Sequence, residues 1–136
     1  MNTFVLEILT PERSFFSDNV LSVIFSAPDG RMSVQAGHER MIVELVPGEC
    51  QIHTENRWRS CFVSEGFIQI EPAVTVIFTQ AAEWPEEIDI RRAQRAKERA
   101  EERLRQRKSD EEYRRSKVDL ARAMARLGLT KRKTRL

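Results

Sequence analysis

Hydrophobic and polar residues alternate in short runs over the first 85 residues of the chain. Phe4, Leu6 and Ile8 occupy every second position of the first run, and later runs end at turn signals such as the Pro-Asp-Gly sequence at 28–30. Alternation with a period of two is typical of strands that bury one face, and Pro, Gly and Asp favour the turns between them. The pattern predicts eight or nine short strands in about 80 residues, folded as an antiparallel β-sandwich or flattened barrel.

The interior of this sandwich is predicted from the apolar positions of the runs. The expected core residues are Phe4, Leu6, Ile8, Val23, Phe25, Val34, Leu45, Ile52, Phe62, Phe67, Ile70, Val76 and Phe78. Helices are not expected in this part of the chain, because the closely spaced strands leave no room for them.

The pattern changes at residue 86. From there onward the chain has no Pro and a single Gly, Gly128, and it is rich in Ala, Arg, Glu and Lys, which favour helices. Apolar residues recur every three to five positions from residue 88 to 104 and again from 113 to 127. The spacing predicts two amphipathic helices joined by a turn near Ser109, with Ser109 or Asp110 as the cap of the second helix. That helix is expected to end near Gly128.

The two patterns divide the chain into a β-sandwich domain, residues 1–85, and a helical hairpin with a basic tail, residues 86–136. The seam between the helices is largely Ala, so each helix buries little apolar area, and burial stabilises by only about 25 cal/mol per Å². We therefore expect the hairpin to open, or to leave the sandwich, at a modest free-energy cost. Pro85 lies at the boundary, where it fits a hinge or a position just before the first helix.

The two parts of the chain also differ in net charge. Residues 1–85 contain five Lys and Arg against eleven Asp and Glu, a net charge of −6, whereas residues 86–136 contain eighteen against ten, a net charge of +8. Such an asymmetry indicates that the helical hairpin and its basic tail, together called the arm, bind an acidic partner. No apolar run approaches the roughly 20 residues of a membrane-spanning helix, and the N-terminus does not resemble a secretory signal. We expect a cytosolic chain, or one held at a membrane face by a partner.

Catalytic chemistry is not predicted. Cys50 and Cys61 are isolated, and His38 and His53 lie in no metal-binding motif, so neither a disulfide framework nor a metal site is expected. No nucleotide-binding glycine loop and no nucleophile with an activating base is recognisable. The sequence therefore favours a non-catalytic protein.

Several short motifs occur in a characteristic order. They are TPER at 10–13, the Pro-Asp-Gly turn, Gly37-His38, Leu45-x-Pro47-Gly48, Ser64-Glu65-Gly66-Phe67-Ile68 and EEIDIRRAQRAKERAEERL from Glu86. Together they resemble the epsilon subunit of bacterial and chloroplast F-type ATP synthases, over residues 3–128. The resemblance implies a β-sandwich that joins the gamma subunit to the ring of c subunits. It also implies a hairpin that folds against the sandwich or extends along gamma into the catalytic head, where it inhibits ATP hydrolysis. A peripheral position on the cytoplasmic face of the bacterial inner membrane follows.

Partner-binding residues follow from the same resemblance. Met32 and His38 are candidates for the contact with gamma, although the alternative for Met32 is a place in the core, and a lone His is more often a turn or core residue. The basic residues expected to meet acidic segments of the beta and alpha subunits are Arg103, Arg105, Arg107, Lys108, Arg114, Arg115, Lys117 and Arg122. The alternative is that these side chains are only the solvated outer faces of two helices.

The resemblance also implies a regulatory ATP site, because members of the family that bind ATP carry an I/L-D-x-x-R-A motif, which residues 88–93 match; no cofactor is otherwise required. If the hairpin turns near Ser109, Arg92 faces Arg126, and Arg99 lies within about a turn of Arg122. Converging guanidiniums favour a triphosphate, with Glu83 and Asp89 near the adenine or ribose. The predicted site comprises Glu83, Ile88, Asp89, Arg92, Ala93, Arg99, Arg122 and Arg126. The alternative is an internal network in which Asp89, Glu98 and Asp119 neutralise the same arginines.

A second class of function is a nucleic-acid-binding module, since a basic helical hairpin on a small β-barrel would attract phosphates. Against it, Tyr113 is the only aromatic residue of the arm, the sandwich is acidic, and no strand carries an aromatic cluster for stacking bases. We therefore do not expect a nucleic-acid partner.

Overall fold

The computed structural model describes residues 2–135, with side chains described for residues 2–131. Ten strands are followed by a short 3-10 turn, Pro85–Glu87, and by two helices, α1 (Ile90–Gln106) and α2 (Asp110–Arg135). The strands are β1 (Phe4–Leu9), β2 (Ser14–Val20), β3 (Ser22–Ala27), β4 (Gly30–Gln35), β5 (Met41–Leu45), β6 (Gly48–His53), β7 (Trp58–Val63), β8 (Gly66–Ile70), β9 (Val74–Thr79) and β10 (Ala82–Glu83). The predicted sandwich followed by a helical hairpin is confirmed.

The strands form two five-stranded sheets. The first sheet has the order β2-β1-β9-β8-β5, and the second has the order β10-β7-β6-β3-β4. All pairings are antiparallel except that of β1 with β9, which are parallel, so the expectation of a purely antiparallel sandwich is wrong at this pair. A parallel pair requires a long crossover, and the chain between β1 and β9 supplies it with β2 to β8, which include four of the five strands of the second sheet.

Most of the predicted core residues are buried between the sheets, among them Leu6, Phe25 and Ile52, each with no exposed surface. Phe62 is also fully buried, but it packs against Ile88 and Leu129 on the outer face of the second sheet. The hairpin therefore covers the second sheet and has a small apolar contact of its own with it.

Three core predictions are wrong because Phe67 of β8 and Val76 and Phe78 of β9 lie on the outer face of the first sheet, whereas Ile70 of β8 is buried as predicted. Phe67 is 47% exposed and Phe78 is only partly buried, whereas their neighbours Ile68 and Ile77 are fully buried. Val76 is likewise partly buried on the outer side. Both strands have apolar residues on their two faces, so alternation did not determine their register, and a shift of one residue moves every side chain to the other face.

Both helices begin at a side-chain cap, of which only the cap at Ser109 was predicted. The Asp89 carboxylate accepts the Arg92 backbone N–H at 3.0 Å before α1, and the Ser109 hydroxyl oxygen accepts the Glu112 backbone N–H at 3.1 Å before α2. The predicted end of α2 near Gly128 is wrong, because the helix continues to Arg135. The buried contact of Leu129 with the second sheet outweighs the low helix propensity of glycine.

The seam between α1 and α2 is narrow and made of small residues. Ala93, Ala100 and Ala123 are buried in it, with Ser116 beside them. The helices contact each other closely along this seam, but the apolar area that they bury is small. The modest free-energy cost of opening the hairpin stays a prediction.

Candidate functional site

A cavity of about 530 Å³ lies where the hairpin meets the end of the sandwich. One side is lined by carboxylates of the sandwich and of the segment leading to α1, and the other by guanidinium groups of α1 and α2. The lining residues are Glu12, Ala81, Glu83, Glu87, Asp89, Arg92, Ala93, Ala96, Arg99 and Arg126. A second cavity of about 220 Å³ shares Ala96, Arg99 and Arg126 with the first and adds Ala100, Arg103, Asp119 and Arg122.

The structure brings most of the predicted nucleotide residues together. Six of them line the larger cavity: Glu83, Asp89, Arg92, Ala93, Arg99 and Arg126. Arg122 lines only the smaller cavity, together with Arg99, and Arg92 and Arg126 both line the larger one. Ile88 lines neither cavity, because its side chain is buried against Phe62.

Two arginines of α2 are bound to carboxylates of the sandwich. Arg126 donates to both Glu83 oxygens, with Nε–Oε1 at 3.1 Å and Nη2–Oε2 at 2.6 Å. Arg122 forms an ion pair with Glu65, and its Nε lies 2.8 Å from the Ser64 hydroxyl oxygen. We call these two ion pairs the 83–126 latch and the 65–122 latch.

The predicted internal network is present only in part. Asp119 lies 3.0 Å from Arg122 Nη1, as expected, but Asp89 is occupied with capping α1, and Glu98 accepts a hydrogen bond from Gln94 at 3.4 Å. The larger share of neutralising charge comes from the sandwich. The arginines of α2 therefore tie the hairpin to the sandwich.

The surroundings of Arg122 disfavour its positive charge. Burial, and then the neighbouring charge of Arg126, lower the pKa of Arg122 from its ordinary value. An anion between the helices would reverse the second effect, because it would compensate the repulsion between the two guanidiniums.

The segment before α1 is fixed to the sandwich. Trp84 stacks on Phe15 with 4.5 Å between ring centroids, and the Arg59 guanidinium lies 3.7 Å from the Trp84 ring centroid. The Glu87 carboxylate accepts the Trp84 backbone N–H at 2.9 Å and binds Arg13 Nη2 at 3.0 Å. The hydrogen bond from the Trp84 backbone is the main cause that lowers the pKa of Glu87, and Arg13 adds to it. These contacts anchor Pro85 in a position just before the helix, the second of the two roles expected for it.

The predicted basic contacts lie on exposed parts of the hairpin, most of them near its tip. Arg105 pairs with Glu102 at 3.1 Å, and the charged ends of Arg107 and Lys117 lie 4.5 and 5.4 Å from the Tyr113 ring centroid. The exposed members of the set are Arg103, Arg105, Arg107, Lys108, Arg114, Arg115 and Lys117. Arg122 stands apart from them, because it is partly buried in the 65–122 latch.

The two candidates for the gamma contact differ in their surroundings. Met32 is partly buried and packs against the sandwich core. His38 is also partly buried, and its Nδ1 lies 2.8 Å from the Glu39 carbonyl oxygen. His38 thus has the local hydrogen bond that is typical of a turn histidine.

An apolar outer face of the first sheet was missed by sequence reasoning. Ile42 is 72% exposed and Phe67 is 47% exposed, and Phe67 stacks on Phe78 with ring centroids 4.8 Å apart. A groove of about 390 Å³ lies beside this pair; its lining is Leu9, Thr10, Pro11, Gly66, Phe67, Phe78, Thr79 and Gln80. The apolar residues on both faces of β8 and β9 were the signal that a second surface existed.

Glu12 and Glu87 were also missed as residues of the larger cavity. Glu12 belongs to the TPER motif, which the sequence singled out without a role. Glu12 is far from α1 along the chain, and no local sequence pattern shows that the turn after β1 lies beside the start of the hairpin.

Comparison with known proteins identifies both parts of the chain. Residues 3–85 match the family model "ATP synthase, Delta/Epsilon chain, beta-sandwich domain", and residues 86–131 match "ATP synthase, Delta/Epsilon chain, long alpha-helix domain". The chain is 50% identical over 133 residues to the ATP synthase epsilon chain of Ruminiclostridium cellulolyticum, with 98% of this chain and 99% of the relative covered. It is 40% identical over 129 residues to the epsilon chain of Caldicellulosiruptor bescii, with 95% and 94% covered.

The fold is similar to that of a chain in the cryo-EM structure of the Euglena gracilis mitochondrial ATP synthase, OSCP/F1/c-ring in rotational state 1. The TM-score is 0.78 at 23% identity, and the match covers 92% of this chain and 79% of that chain. A β-sandwich followed by a long helical domain defines the delta/epsilon class of ATP synthase subunits. Within that class, this chain belongs to the epsilon subunit family of F-type ATP synthases. The resemblance recognised in the sequence is confirmed.

Two further observations concern metal binding and membrane spans. Within residues 2–131, no three His, Cys, Asp or Glu side chains are grouped so that they could hold a metal ion. No helix of the described residues has both the length and the apolar character that crossing a membrane requires.

Proposed function

We propose that this chain is a non-catalytic subunit of the central stalk, in which the sandwich joins gamma to the c-ring and the hairpin regulates ATP hydrolysis. The two layers of the sandwich support this division of tasks. The hairpin packs on the outer face of the second sheet, so the outer face of the first sheet is left for a partner. The complex would hold the chain peripherally at the cytoplasmic face of the bacterial membrane.

The apolar face is the proposed contact with gamma. It presents Ile42, Phe67 and Phe78, and clusters of exposed apolar residues mark protein interaction sites. The five strands of the first sheet contain no Lys or Arg, and Glu44 pairs with Phe67 across β5 and β8. An apolar partner surface with a basic rim complements this face.

ATP is the proposed ligand of the larger cavity. The arginine side, with Arg92, Arg99 and Arg126, offers forked donors to phosphate oxygens, and Glu83 and Asp89 offer acceptors to the adenine or ribose. A triphosphate would compete with Glu83 for Arg126, since both are anions within reach of the same guanidinium.

The observation that carries this proposal is the composition of the cavity. Ala81 and Glu83 belong to the sandwich, whereas Arg92, Arg99 and Arg126 belong to the hairpin, so the cavity is complete only when the hairpin lies on the sandwich. A ligand that binds only the complete cavity stabilises the docked hairpin. ATP would thereby oppose the extended, inhibitory state.

Calorimetry on the full chain tests the site. Arg92→Ala and Arg126→Ala should each weaken ATP binding at least tenfold, whereas Arg95→Ala serves as the control, because Arg95 is exposed on α1 and lines neither cavity. Unchanged affinity in both cavity variants would exclude this site.

Inhibition is the task proposed for the exposed basic residues near the tip. Weak ion pairs of about 0–1 kcal/mol each add up to a bias when two hairpin states differ by only a few kcal/mol. Reversal of charge at Arg103, Arg107 and Lys108 should relieve inhibition of ATP hydrolysis when the variant is added to a catalytic head lacking this subunit. If hydrolysis is suppressed as strongly as by the unaltered chain, the tip is not the inhibitory surface.

A further inference from the structure

The two cysteines of the chain face each other across β6 and β7. Cys50 of β6 and Cys61 of β7 are direct partners in the antiparallel pairing, which runs from Gly48 to His53 of β6 without a register shift. Both side chains are fully buried in the core of the sandwich, and both are free thiols. Two thiols that are isolated in the sequence are therefore neighbours in the fold.

A tight turn holds the two strands in this register. The Thr54 backbone N–H donates to the Arg57 carbonyl oxygen at 3.0 Å, and the Thr54 hydroxyl donates to the same oxygen at 3.1 Å. Next to the turn, the opposed rings of His53 and Trp58 stack with their centroids 4.2 Å apart. Each of these contacts joins residues on the two arms of the β-hairpin. They therefore disfavour a slip of register, which would separate the two thiols.

The backbone positions of the two cysteines suit a disulfide. Opposed residues of an antiparallel pair have Cα atoms about 4.5–5.5 Å apart, and residues joined by a disulfide have Cα atoms about 4.4–6.8 Å apart. Opposed Cβ atoms are about 4.5–5.5 Å apart, so an approach of roughly 1 Å brings them to the separation of about 3.8 Å that the bond requires. Cys50 and Cys61 can therefore be joined without a change in strand pairing.

The surroundings leave the two thiols with each other as partners. A hydrogen bond to Cys50, and then burial, raise the pKa of the Cys61 thiol well above its ordinary value. Within residues 2–131, neither thiol belongs to a group of three or more side chains that could hold a metal ion. Burial also keeps both sulfurs away from the surface, which favours a bond within one chain over a bond between two chains.

We propose that Cys50 and Cys61 are a redox pair, which remains a dithiol at a reducing potential and closes to a disulfide across β6 and β7 at a more oxidising one. The bond closes the loop from residue 50 to residue 61 and restricts mainly the unfolded chain, so it stabilises the sandwich. Neither cysteine lines the two cavities or the groove, so this chemistry is independent of the proposed ATP site and of the contact with gamma.

The reaction requires an oxidant, and a small disulfide such as oxidised glutathione supplies it. One cysteine thiolate attacks a sulfur of the small disulfide, whose sulfur–sulfur bond breaks, and a small thiolate leaves. The second cysteine thiolate then attacks the sulfur of the first, and the other small thiolate leaves. Both cysteine protons pass to the small thiolates, and two electrons reduce the oxidant to two thiols. Because the sulfurs are buried, the exchange takes place when the β6–β7 pair opens transiently.

The test compares the full chain in its folded state with the same chain unfolded in urea. Each is equilibrated in buffers of reduced and oxidised glutathione, starting once from the dithiol and once from the disulfide. The remaining thiols are then alkylated in urea and counted by mass spectrometry. The equilibrium constant for closing the disulfide should be about ten- to a hundredfold larger in the folded chain, because the paired strands hold the two thiols together.

Thermal unfolding gives a second readout. By linkage, a bond that is favoured in the folded chain also stabilises the fold, so the disulfide form should unfold at a temperature about 5–10 °C higher than the dithiol form. Reduction should reverse the shift. Cys61→Ala is the control, because it removes one thiol and keeps a small apolar side chain in the core. Oxidised glutathione should not raise the unfolding temperature of this variant.

Three results would overturn the redox pair. An equilibrium constant no larger in the folded chain than in urea would show that the strands hold the thiols where a disulfide cannot join them. A disulfide form that unfolds at or below the temperature of the dithiol form would show that the bond strains the sheet. A mixed disulfide with glutathione, as the only oxidised product of the folded chain, would show that Cys50 and Cys61 do not react with each other.

Discussion

Arg126 of α2 and Glu83 of β10 form a two-point ion pair that joins the hairpin to the sandwich. The distances are 2.6 Å from Nη2 to Oε2 and 3.1 Å from Nε to Oε1, and both side chains are 25% exposed. The guanidinium also lies 4.3 Å from the Phe62 ring centroid. Forked pairs in partly buried surroundings are stronger than exposed ones, so this latch is the firmer of the polar contacts that position the larger cavity.

Removal of this latch should loosen the hairpin without unfolding the sandwich. Arg126→Ala leaves the Glu83 carboxylate partly buried without its partner, and we expect the docked state to lose about 1–2 kcal/mol. Hydrogen exchange should then accelerate at the amides of α1 and α2, while the strands keep their protection. Arg95→Ala is the matched control on the exposed side of α1. Equal exchange in the two variants would show that the latch does not hold the hairpin.

The helical half of the chain could be predicted well from local patterns. The cap at Ser109 and the Ala seam depend on residues within a few positions of each other, and the structure has them where the sequence places them, whereas the cap at Asp89 was not predicted. The end of α2 could not be predicted, because it depends on the buried contact between Leu129 and Phe62, which are far apart in the sequence.

The apolar outer face of the first sheet and the ion pairs between distant residues could not be predicted, because local patterns do not contain the necessary information. The register of β8 and β9 was ambiguous, since both of their faces are apolar, and Phe67 was therefore assigned to the wrong side. Arg13 and Glu87 are 74 residues apart, and Arg122 and Glu65 are 57 residues apart. Such pairs follow from the packing of the hairpin on the second sheet, which a single sequence does not specify.

Acidification should weaken the anchor before α1. The pKa of Glu87 is lowered in the folded chain, so the carboxylate stabilises the anchor fully above its unfolded pKa of about 4.3, and this stabilisation is lost as the pH falls through the folded pKa. Glu87→Gln should be less stable than the unaltered chain at pH 7, and the difference should shrink below about pH 4. Urea unfolding of both proteins across this pH range measures the difference in the free energy of unfolding. A difference that is constant with pH would exclude Glu87 as the titrating group.

Gly66 should not tolerate a side chain. A Cβ atom would lie 1.8 Å from the Phe78 carbonyl oxygen, so Gly66→Ala forces β8 and β9 apart and should cost more than about 3 kcal/mol of unfolding free energy. Gly128→Ala is the contrasting control, because Gly128 is exposed within α2 and nothing lies within 4 Å of the added atom. That change should stabilise the helix by about 0.5–1 kcal/mol. Similar stabilities of the two variants would contradict the close approach at Gly66.

The turn between the helices contains a backbone conformation that is unfavourable for its residue. Arg107 has φ 49° and ψ 51°, the left-handed region, where a residue with a Cβ atom costs about 1–2 kcal/mol. Its guanidinium lies 4.5 Å from the Tyr113 ring centroid, a contact worth about 0.5–1 kcal/mol at an exposed site. The ring contact therefore offsets only part of the backbone cost.

Comparison of Arg107→Gly with Arg107→Ala separates the two effects. Both changes remove the same charge and the same ring contact, but only glycine adopts positive φ freely, so the Gly variant should be more stable than the Ala variant by about 1 kcal/mol. Thermal unfolding of α1 and α2, followed by circular dichroism, measures the difference. Both variants should relieve inhibition of ATP hydrolysis equally, because they lack the same positive charge at the tip. If the Gly variant alone lost inhibition, the backbone conformation of the turn, and not the charge of Arg107, would be what the catalytic head recognises.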